Sequence, residues 1–523
     1  MNSPEIKHIV IVGGGSAGWL TAAVIAAEHA RLAGSHLRVT LLESPDVAPV
    51  GVGEGTWPSM RETLHRIGVS ETDFVRECDA SFKQGSRFDA WIDGVDEHRY
   101  FHPFEAPHGY GDANLAAHWR AACPDQPFAG LVSSQPLLCM EGRAPKQFGT
   151  PEFAAVSNYG YHLDAGKFGA FLRAHATESL GVRHVQGHVV AVNTAACGDI
   201  ASLQTREHGA LAGDLFVDCT GSQALLLGGH YGVPLVSQKH LLFNDSALAV
   251  QVPYPRPDSP IASPTVSTAR GAGWIWDIGL PSRRGVGYVY SSAHCSDGQA
   301  EQVLHDYLAR TGGASGVQNV AAPRKLGFEP GYRERFWYRN CVAIGQSAGF
   351  IEPLEASALA MVELSAAMLA DTLPATRAAM DGAARRFNDA FAYRWERVIE
   401  FLKLHYVLSR RRDSSYWLDN LEPGSVPQRL HESLELWRHR APSRHDLPRI
   451  EEVFPAASYQ YVLFGMGFAP RYAEAARRSD LPEQASRYFQ ESAALTRRRL
   501  AGLPGNRELI DHIQRHGLPR AQA

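Results

Sequence analysis

The feature that most constrains this chain is a glycine turn near its N-terminus: the apolar run HIVIV (8–12), then GGGSAGW (13–19), then an alanine-rich stretch to His29. β-prone residues feeding glycines that open onto good helix formers make a strand, turn and helix, the context that a dinucleotide fingerprint requires. Gly13 permits the tight turn, Gly15 lets backbone approach a pyrophosphate, and Gly18 lets helix pack on strand. Gly14, Ser16 and Ala17 complete the turn, and the pyrophosphate rests on free N–H groups at the helix start. RVTLLE (38–43) reads as a second strand ending on Glu43, an acid at the offset of about 20 residues where a ribose hydroxyl is met. Four glycines and Ser16 interrupt the apolar run 9–27, which argues against a spanning helix of about 20 unbroken apolar residues.

With 523 residues, 45% of them hydrophobic and 20% charged, the chain can bury a large core. It carries 51 basic against 55 acidic residues, a net charge of −4, so neither nucleic acid nor an anionic membrane is an expected partner. Seven scattered cysteines without a C-x-x-C pair suggest no disulfide framework and no zinc site, and no metal is expected. No stretch reads as a leader or a membrane span, which sets a soluble, cytoplasmic protein as the expectation.

After Glu43, GVGEGTWP (51–58) is glycine and proline punctuation without period, a loop lying over something. Short helices are expected over 59–68 and 72–78. SFKQGSRFDAW (81–91) reads as strand, with Lys83 among aromatics; composition alone makes it a surface lysine whose stem snorkels. YFHPF (100–104) is an aromatic cluster in which His102 and Phe104 form core or a pocket wall. The stretch 105–150 shows little period, 167–178 is helical, and LFVDCTG (215–221) returns to the nucleotide sheet. Strand-like alternation then marks a largely antiparallel sheet, with Trp274, Trp276 and Ile278 on one face of GWIWDIGLP (273–281). NCVAIG (340–345) begins a second strand, turn and helix, whose helix start near Glu355 suits either the far end of the dinucleotide or an anion. Helices dominate from 356 to 408 and again from 471 to 513. The pattern is that of an α/β chain. A Rossmann-type nucleotide-binding domain occupies 1–360 in discontinuous segments, with the antiparallel sheet inserted at about 232–326. A mainly helical region, 361–523, completes the substrate pocket.

GGGSAGW, GVGEGTWP, WIWDIGL (274–280) and GQSAGFIEPLEASAL (345–359) together resemble the flavin-dependent tryptophan halogenase family, departing from its W-x-W-x-I-P signature at Gly279. The resemblance implies an FAD-binding fold of the flavin monooxygenase and halogenase type. Reduced FAD and oxygen would oxidise halide to hypohalous acid, which passes through an internal tunnel to a separate aromatic pocket. There Lys83 would hold or covalently capture the oxidised halogen and Glu355 would assist the substitution, one by orientation and the other by moving a proton. FAD contacts are implied for Gly13, Gly14, Gly15, Ser16, Ala17, Gly18, Glu43, Val52, Gln346 and Leu359. Halide would sit on the backbone of Ser357 and Ala358, and the substrate against His102 and Phe104.

Where the family has Ser-Thr-Gly after the acid, this chain has Ala356-Ser357-Ala358. That removes a hydroxyl and replaces glycine by an alanine that resists positive φ, so bromide is expected over chloride. The aromatic run Tyr459, Tyr461, Phe464 and Phe468 matches no clamp for free tryptophan, and an indole or other electron-rich aromatic is the expected substrate. No second G-x-G-x-x-G follows a strand, so FADH2 would come from a separate NAD(P)H-dependent flavin reductase; a homodimer is among the expected assemblies. The alternatives are an FAD-dependent aromatic monooxygenase and a flavin-binding protein without turnover.

Overall fold

The opening apolar run forms the strand His8–Val12, in which Ile9, Val10 and Ile11 are completely buried. The protein is described here by a computed structural model covering residues 4–30, 37–47, 53–312, 320–468, 470 and 482–520. Two compact units divide the chain: Met1–Asp79 with Leu163–Gln238 and Phe328–Trp395, and Ala80–His162 with Lys239–Gly327 and Glu396–Ala523.

The first unit is built on a six-stranded sheet in the order Trp337–Tyr338, Cys341–Ala343, Leu215–Asp218, His8–Val12, Arg38–Glu43, Arg183–Gln186. The last five pair in parallel, and Trp337–Tyr338 turns back antiparallel at one edge. A parallel sheet needs crossover connections that cover its faces, and its inner strands are therefore largely apolar and buried, whereas the edge strand Arg183–Gln186 is mostly polar. The helix Ser16–Ala30 packs against the helices Ala165–Glu178 and Ser357–Asp371. Its buried Ala22, Ala23, Ala26 and Ala27 leave room for that approach, and its lack of a polar face is what a buried helix shows.

Helix Ser357–Asp371 also carries a buried carboxyl, Glu363, which accepts from Thr63 Oγ1 at 2.7 Å and Ser59 Oγ at 3.4 Å. Burial pushes its pKa up from an ordinary 4.5 to about 8. The folded chain thus keeps a proton that the unfolded chain has lost, and stability falls as pH rises from about 4.5 to about 8. Glu363→Gln keeps the shape and removes the titration. Its melting temperature is expected to vary less between pH 6 and 9 than that of the parent, which loses on the order of 5 kcal/mol across the full range from carboxylic acid to carboxylate. Parallel melting curves for the two proteins would count against this.

The second unit holds a seven-stranded sheet, ordered Arg324–Gly327, Ser246–Pro253, Arg283–Tyr290, Gly273–Gly279, Thr265–Arg270, Gly85–Asp89, Arg99–Pro103. It recruits two strands, 85–89 and 99–103, from far outside the stretch whose alternation announces the sheet. Gly85–Asp89 joins in parallel beside Thr265–Arg270, and the other pairs are antiparallel. Trp274 and Ile275 point to opposite faces yet are 1% and 0% exposed, so the two-tryptophan strand is buried on both sides. Trp276 lies over Gly287 of the neighbouring strand, where a Cβ would come within 2.1 Å of its ring. The stretch 105–150 is not irregular throughout: it contains the helices Leu115–Ala122, Phe128–Val132 and Gln135–Met140, too short to show a period. Of the C-terminal helical expectation, 471–481 lies outside the described residues, and Pro482–Gly502 and Asn506–His516 are helices. Among the described residues no helix is long and apolar enough to cross a membrane, and no group of three or more metal-ligating side chains is assembled.

Candidate active site

In the first unit the glycine turn closes over the end of the parallel sheet. Gly13 has φ +115°, and a Cβ there would stand 2.2 Å from the Cys219 carbonyl oxygen on the adjacent strand. A Cβ on Gly18 would meet the Gly13 carbonyl oxygen at 1.9 Å, and one on Gly14 would overlap the Glu43 carboxyl at 2.1 Å. Gly15 differs from these three: nothing lies within 4 Å of the position its Cβ would take. Gly13 and Gly18 are therefore demanded by backbone packing, Gly14 faces only the Glu43 side chain, and Gly15 faces open space.

That space is a cavity of about 590 Å³, well within the size range of cofactor sites. Gly13, Gly14, Gly15, Ser16, Ala17, Glu43, Gln346, Ser357, Ala358 and Leu359 all line it. Gly18 instead serves the packing of helix on strand, and Val52 lies outside the described residues. Glu43 accepts from or shares a proton with His184 Nε2 at 2.9 Å, and the Trp19 indole meets the His184 ring edge-on at 5.1 Å. The acid is thereby held at the end of its strand. Beneath the cavity Asp218 gathers four donors: the Thr220 N–H and hydroxyl and the Leu226 and Leu227 N–H groups. This fixes the chain as it leaves the returning strand. A donor-lined helix start, an acid beside it and an opening at the one unconstrained glycine are what a dinucleotide flavin needs.

Two further lining residues had no role assigned from sequence. Glu54 projects into the cavity from the Gly53–Gly55 strand, and burial pushes its pKa up from 4.5 to about 7. A charged residue set between two glycines in GVGEGTWP was the available signal. His188 stands at the cavity with Nδ1 2.7 Å from Glu207 and Nε2 2.8 Å from Asp46, partners that raise its pKa. No local motif marks it, because its partners come from distant turns.

The second strand–turn–helix ends in backbone strain. Glu355 has φ 65° and Ala356 φ 55°, immediately before the helix that begins at Ser357. Left-handed backbone costs a non-glycine residue roughly 1–2 kcal/mol. The Trp57 indole N–H donates to the Glu355 carbonyl at 2.7 Å and helps hold the turn. The expectation for Ala358 is corrected here: it is not among the positive-φ residues but lies in the first helical turn, and the left-handed positions are Glu355 and Ala356. Glu355 is itself buried, at 6% exposure, and is not part of the cavity lining.

In the second unit Lys83 closes the short strand Ser81–Lys83, which pairs antiparallel with Gly160–Asp164 in the register Ser81 to His162 and Lys83 to Gly160. Asn506 Nδ2 donates to the Phe82 carbonyl at 3.1 Å and pins this strand. The surface-lysine expectation fails: Lys83 is 0% exposed. Its Nζ lies 5.3 Å from the centre of the half-buried Phe104 ring, a cation–π distance. His102 is buried against Phe401 at 5.5 Å and against Phe454 and Tyr461 at 6.3 Å, and Phe401 and Phe454 stack at 3.8 Å. Tyr461 is anchored through its hydroxyl to the Glu105 carbonyl at 2.9 Å. The result is a desolvated ammonium beside rigid aromatic walls.

Comparison with known proteins follows the same lines. A family model described as tryptophan halogenase matches residues 8–480. The tryptophan 6-halogenase SttH of Streptomyces toxytricini is 33% identical over 494 residues, covering 89% of this chain and 90% of that protein. The crystal structure of a tryptophan halogenase from Shewanella frigidimarina NCIMB 400 superposes with a TM-score of 0.95 at 48% identity, covering 99% of each chain. BrvH, a flavin-dependent halogenase from Brevundimonas sp. BAL3, gives a TM-score of 0.85 at 33% identity, over 98% of this chain and 99% of the other.

Proposed function

The chain belongs to the tryptophan halogenase family, and we propose that it halogenates an indole-like or other electron-rich aromatic substrate with hypohalous acid held at Lys83. The observation that carries this is the complete burial of Lys83 beside an aromatic wall. Burying an ammonium costs several kcal/mol even after relaxation, and a chain that needed only a core residue would place an apolar one there.

FAD fits the cavity of the first unit. The N–H groups at the start of helix Ser16–Ala30 would bind its pyrophosphate where Gly15 leaves room, Glu43 would accept from a ribose hydroxyl, Gln346 would hydrogen-bond the ribityl chain and Leu359 would flank the ring system. Bound and reduced by a separate flavin reductase, the cofactor with oxygen supplies the oxidising equivalent that converts halide to hypohalous acid. Ser357 and Ala358 hold the halide on N–H groups at the start of a helix, where the dipole favours negative charge. Lys83 donates to the oxygen of hypohalous acid and fixes the halogen beside one ring carbon. Glu355 takes the proton as the ring regains aromaticity. His102 and Phe104 hold the flat substrate by stacking.

The test is to supply reductase, FAD, oxygen and bromide with a panel of indoles and to read products by mass spectrometry. Brominated product is expected, and hydroxylation without bromination would overturn the proposal in favour of a monooxygenase. Bromide is the preferred halide, because a site that lacks one hydroxyl and carries a methyl in place of glycine repays less of chloride's larger desolvation cost. At equal halide concentrations brominated product is expected to exceed chlorinated by about 10-fold, a bias of about 1.4 kcal/mol. An excess of chlorinated product would reject this preference.

A further inference from the structure

Resting on the assignment of the first unit's cavity to FAD, we propose that Glu54 occupies the loaded site as a neutral carboxylic acid, so that binding of FAD takes up one proton from solvent. The strand Gly53–Gly55 carries a single side chain: both glycines are buried, and Glu54 lines the cavity. Its place along the cavity follows from the chain beyond it. Trp57, three residues on, is bonded to the Glu355 carbonyl at 2.7 Å, and Ser59 Oγ donates to Glu363 at 3.4 Å. Three residues of extended chain span at most about 11 Å. Glu54 therefore stands toward the start of helix Ser357–Asp371, where Ser357, Ala358 and Leu359 line the same cavity.

Other ionisable groups around the cavity are committed elsewhere or reach solvent. Glu43 is matched by His184 at 2.9 Å, and His188 by Glu207 and Asp46. Burial keeps the Cys219 thiol neutral, and Arg173 is exposed on helix Ala165–Glu178. Glu363 turns to Thr63 and Ser59, Asp164 accepts from the N–H groups of Gly166 and Lys167, and Glu355 lies outside the lining. No described residue forms a hydrogen bond or ion pair with the Glu54 carboxyl, and no neighbouring charge moves its titration.

FAD brings two negative charges on its pyrophosphate and displaces the water that would solvate a carboxylate. A buried carboxylate without a counter-charge is costly, whereas the neutral acid adds no charge and has an O–H to donate. Burial pushes the Glu54 carboxyl up to about 7 before any anion is added, and a bound polyanion pushes it higher. Between those two values the free protein holds a carboxylate and the complex an acid. Affinity for FAD therefore falls as pH rises, by up to about 10-fold per pH unit. Below about pH 7 both states are protonated and affinity is flat.

Calorimetric titration of oxidised FAD into the full chain at pH 8, in buffers of different ionisation enthalpy, counts the protons taken up. The parent is expected to take up about one per FAD, and its Kd to weaken at least about 10-fold between pH 7 and 9. Glu54→Gln keeps the shape and a donor without titrating; it is expected to take up none, with a Kd that stays within about 3-fold over the same range. Glu54→Ala serves in the same way should the first not fold. His188→Gln retains the parent's uptake, which separates the proton at Glu54 from any taken up by the histidine. Uptake that survives in the Glu54 variants, or a parent Kd that does not move with pH, overturns the role of Glu54 while leaving FAD in the cavity. A parent chain that binds no FAD overturns the assignment of the cavity itself.

Discussion

Lys83→Met is expected to abolish halogenation while leaving the melting temperature at or above that of the parent chain. Methionine fills much the same slender volume, and its thioether suits an aromatic surround such as Phe104. What it removes is the charge, whose desolvation the fold has to offset at a position that is 0% exposed. Stability therefore holds or rises, and rate falls by about 10³-fold, the scale at which loss of a positioned proton donor and electrostatic anchor is felt. FAD affinity is expected to be unchanged, since no predicted flavin contact involves this residue. Product yield by mass spectrometry, a thermal melt and a flavin titration decide the matter together. A variant that loses activity and also melts many degrees lower would make Lys83 a structural residue.

The opposition between those two readouts explains what could and could not be read from the residues alone. Ser81-Phe82-Lys83 reveals strand, but a strand of three residues says nothing of whether its last side chain meets water. Burial of Lys83 is decided by Asn506 holding the strand from 424 positions away and by Phe104 in a separate segment. The parallel alignment of Gly85–Asp89 with Thr265–Arg270 joins segments that no local pattern connects. Around the nucleotide turn the case is opposite. HIVIV, the glycines and Glu43 lie within one short supersecondary unit whose geometry is set by adjacent residues, so strand, turn, helix and acid were all legible. At the second turn the sequence points to strain at Ala358, two residues past Ala356. Residues inside a right-handed helix have negative φ, which includes Ala358, and the left-handed positions are Glu355 and Ala356 just before the helix.

The glycines of the fingerprint are separable by experiment, and alanine at Gly13 and at Gly15 should fail in different ways. Gly13 sits at φ +115° with the Cys219 carbonyl oxygen 2.2 Å and carbonyl carbon 2.6 Å from any Cβ. Neither atom can yield, because Cys219 N–H is bonded to the Val12 carbonyl and Gly13 N–H to the Leu42 carbonyl, which ties three strands to that point. Overpacking against fixed backbone together with forbidden φ is expected to cost about 4 kcal/mol or more, enough to lower expression and melting temperature sharply and to abolish flavin binding with them. Gly15→Ala meets nothing within 4 Å, and its stability is expected to stay within about 1 kcal/mol of the parent. Its methyl, however, projects from a residue lining the cavity, where the pyrophosphate must approach backbone N–H groups closely. FAD affinity should therefore fall by about 10–100-fold, equivalent to about 1.4–2.8 kcal/mol. Fluorescence titration of FAD into folded Gly15→Ala protein measures this directly, and an unchanged affinity would move the pyrophosphate away from the turn on which the fold is built.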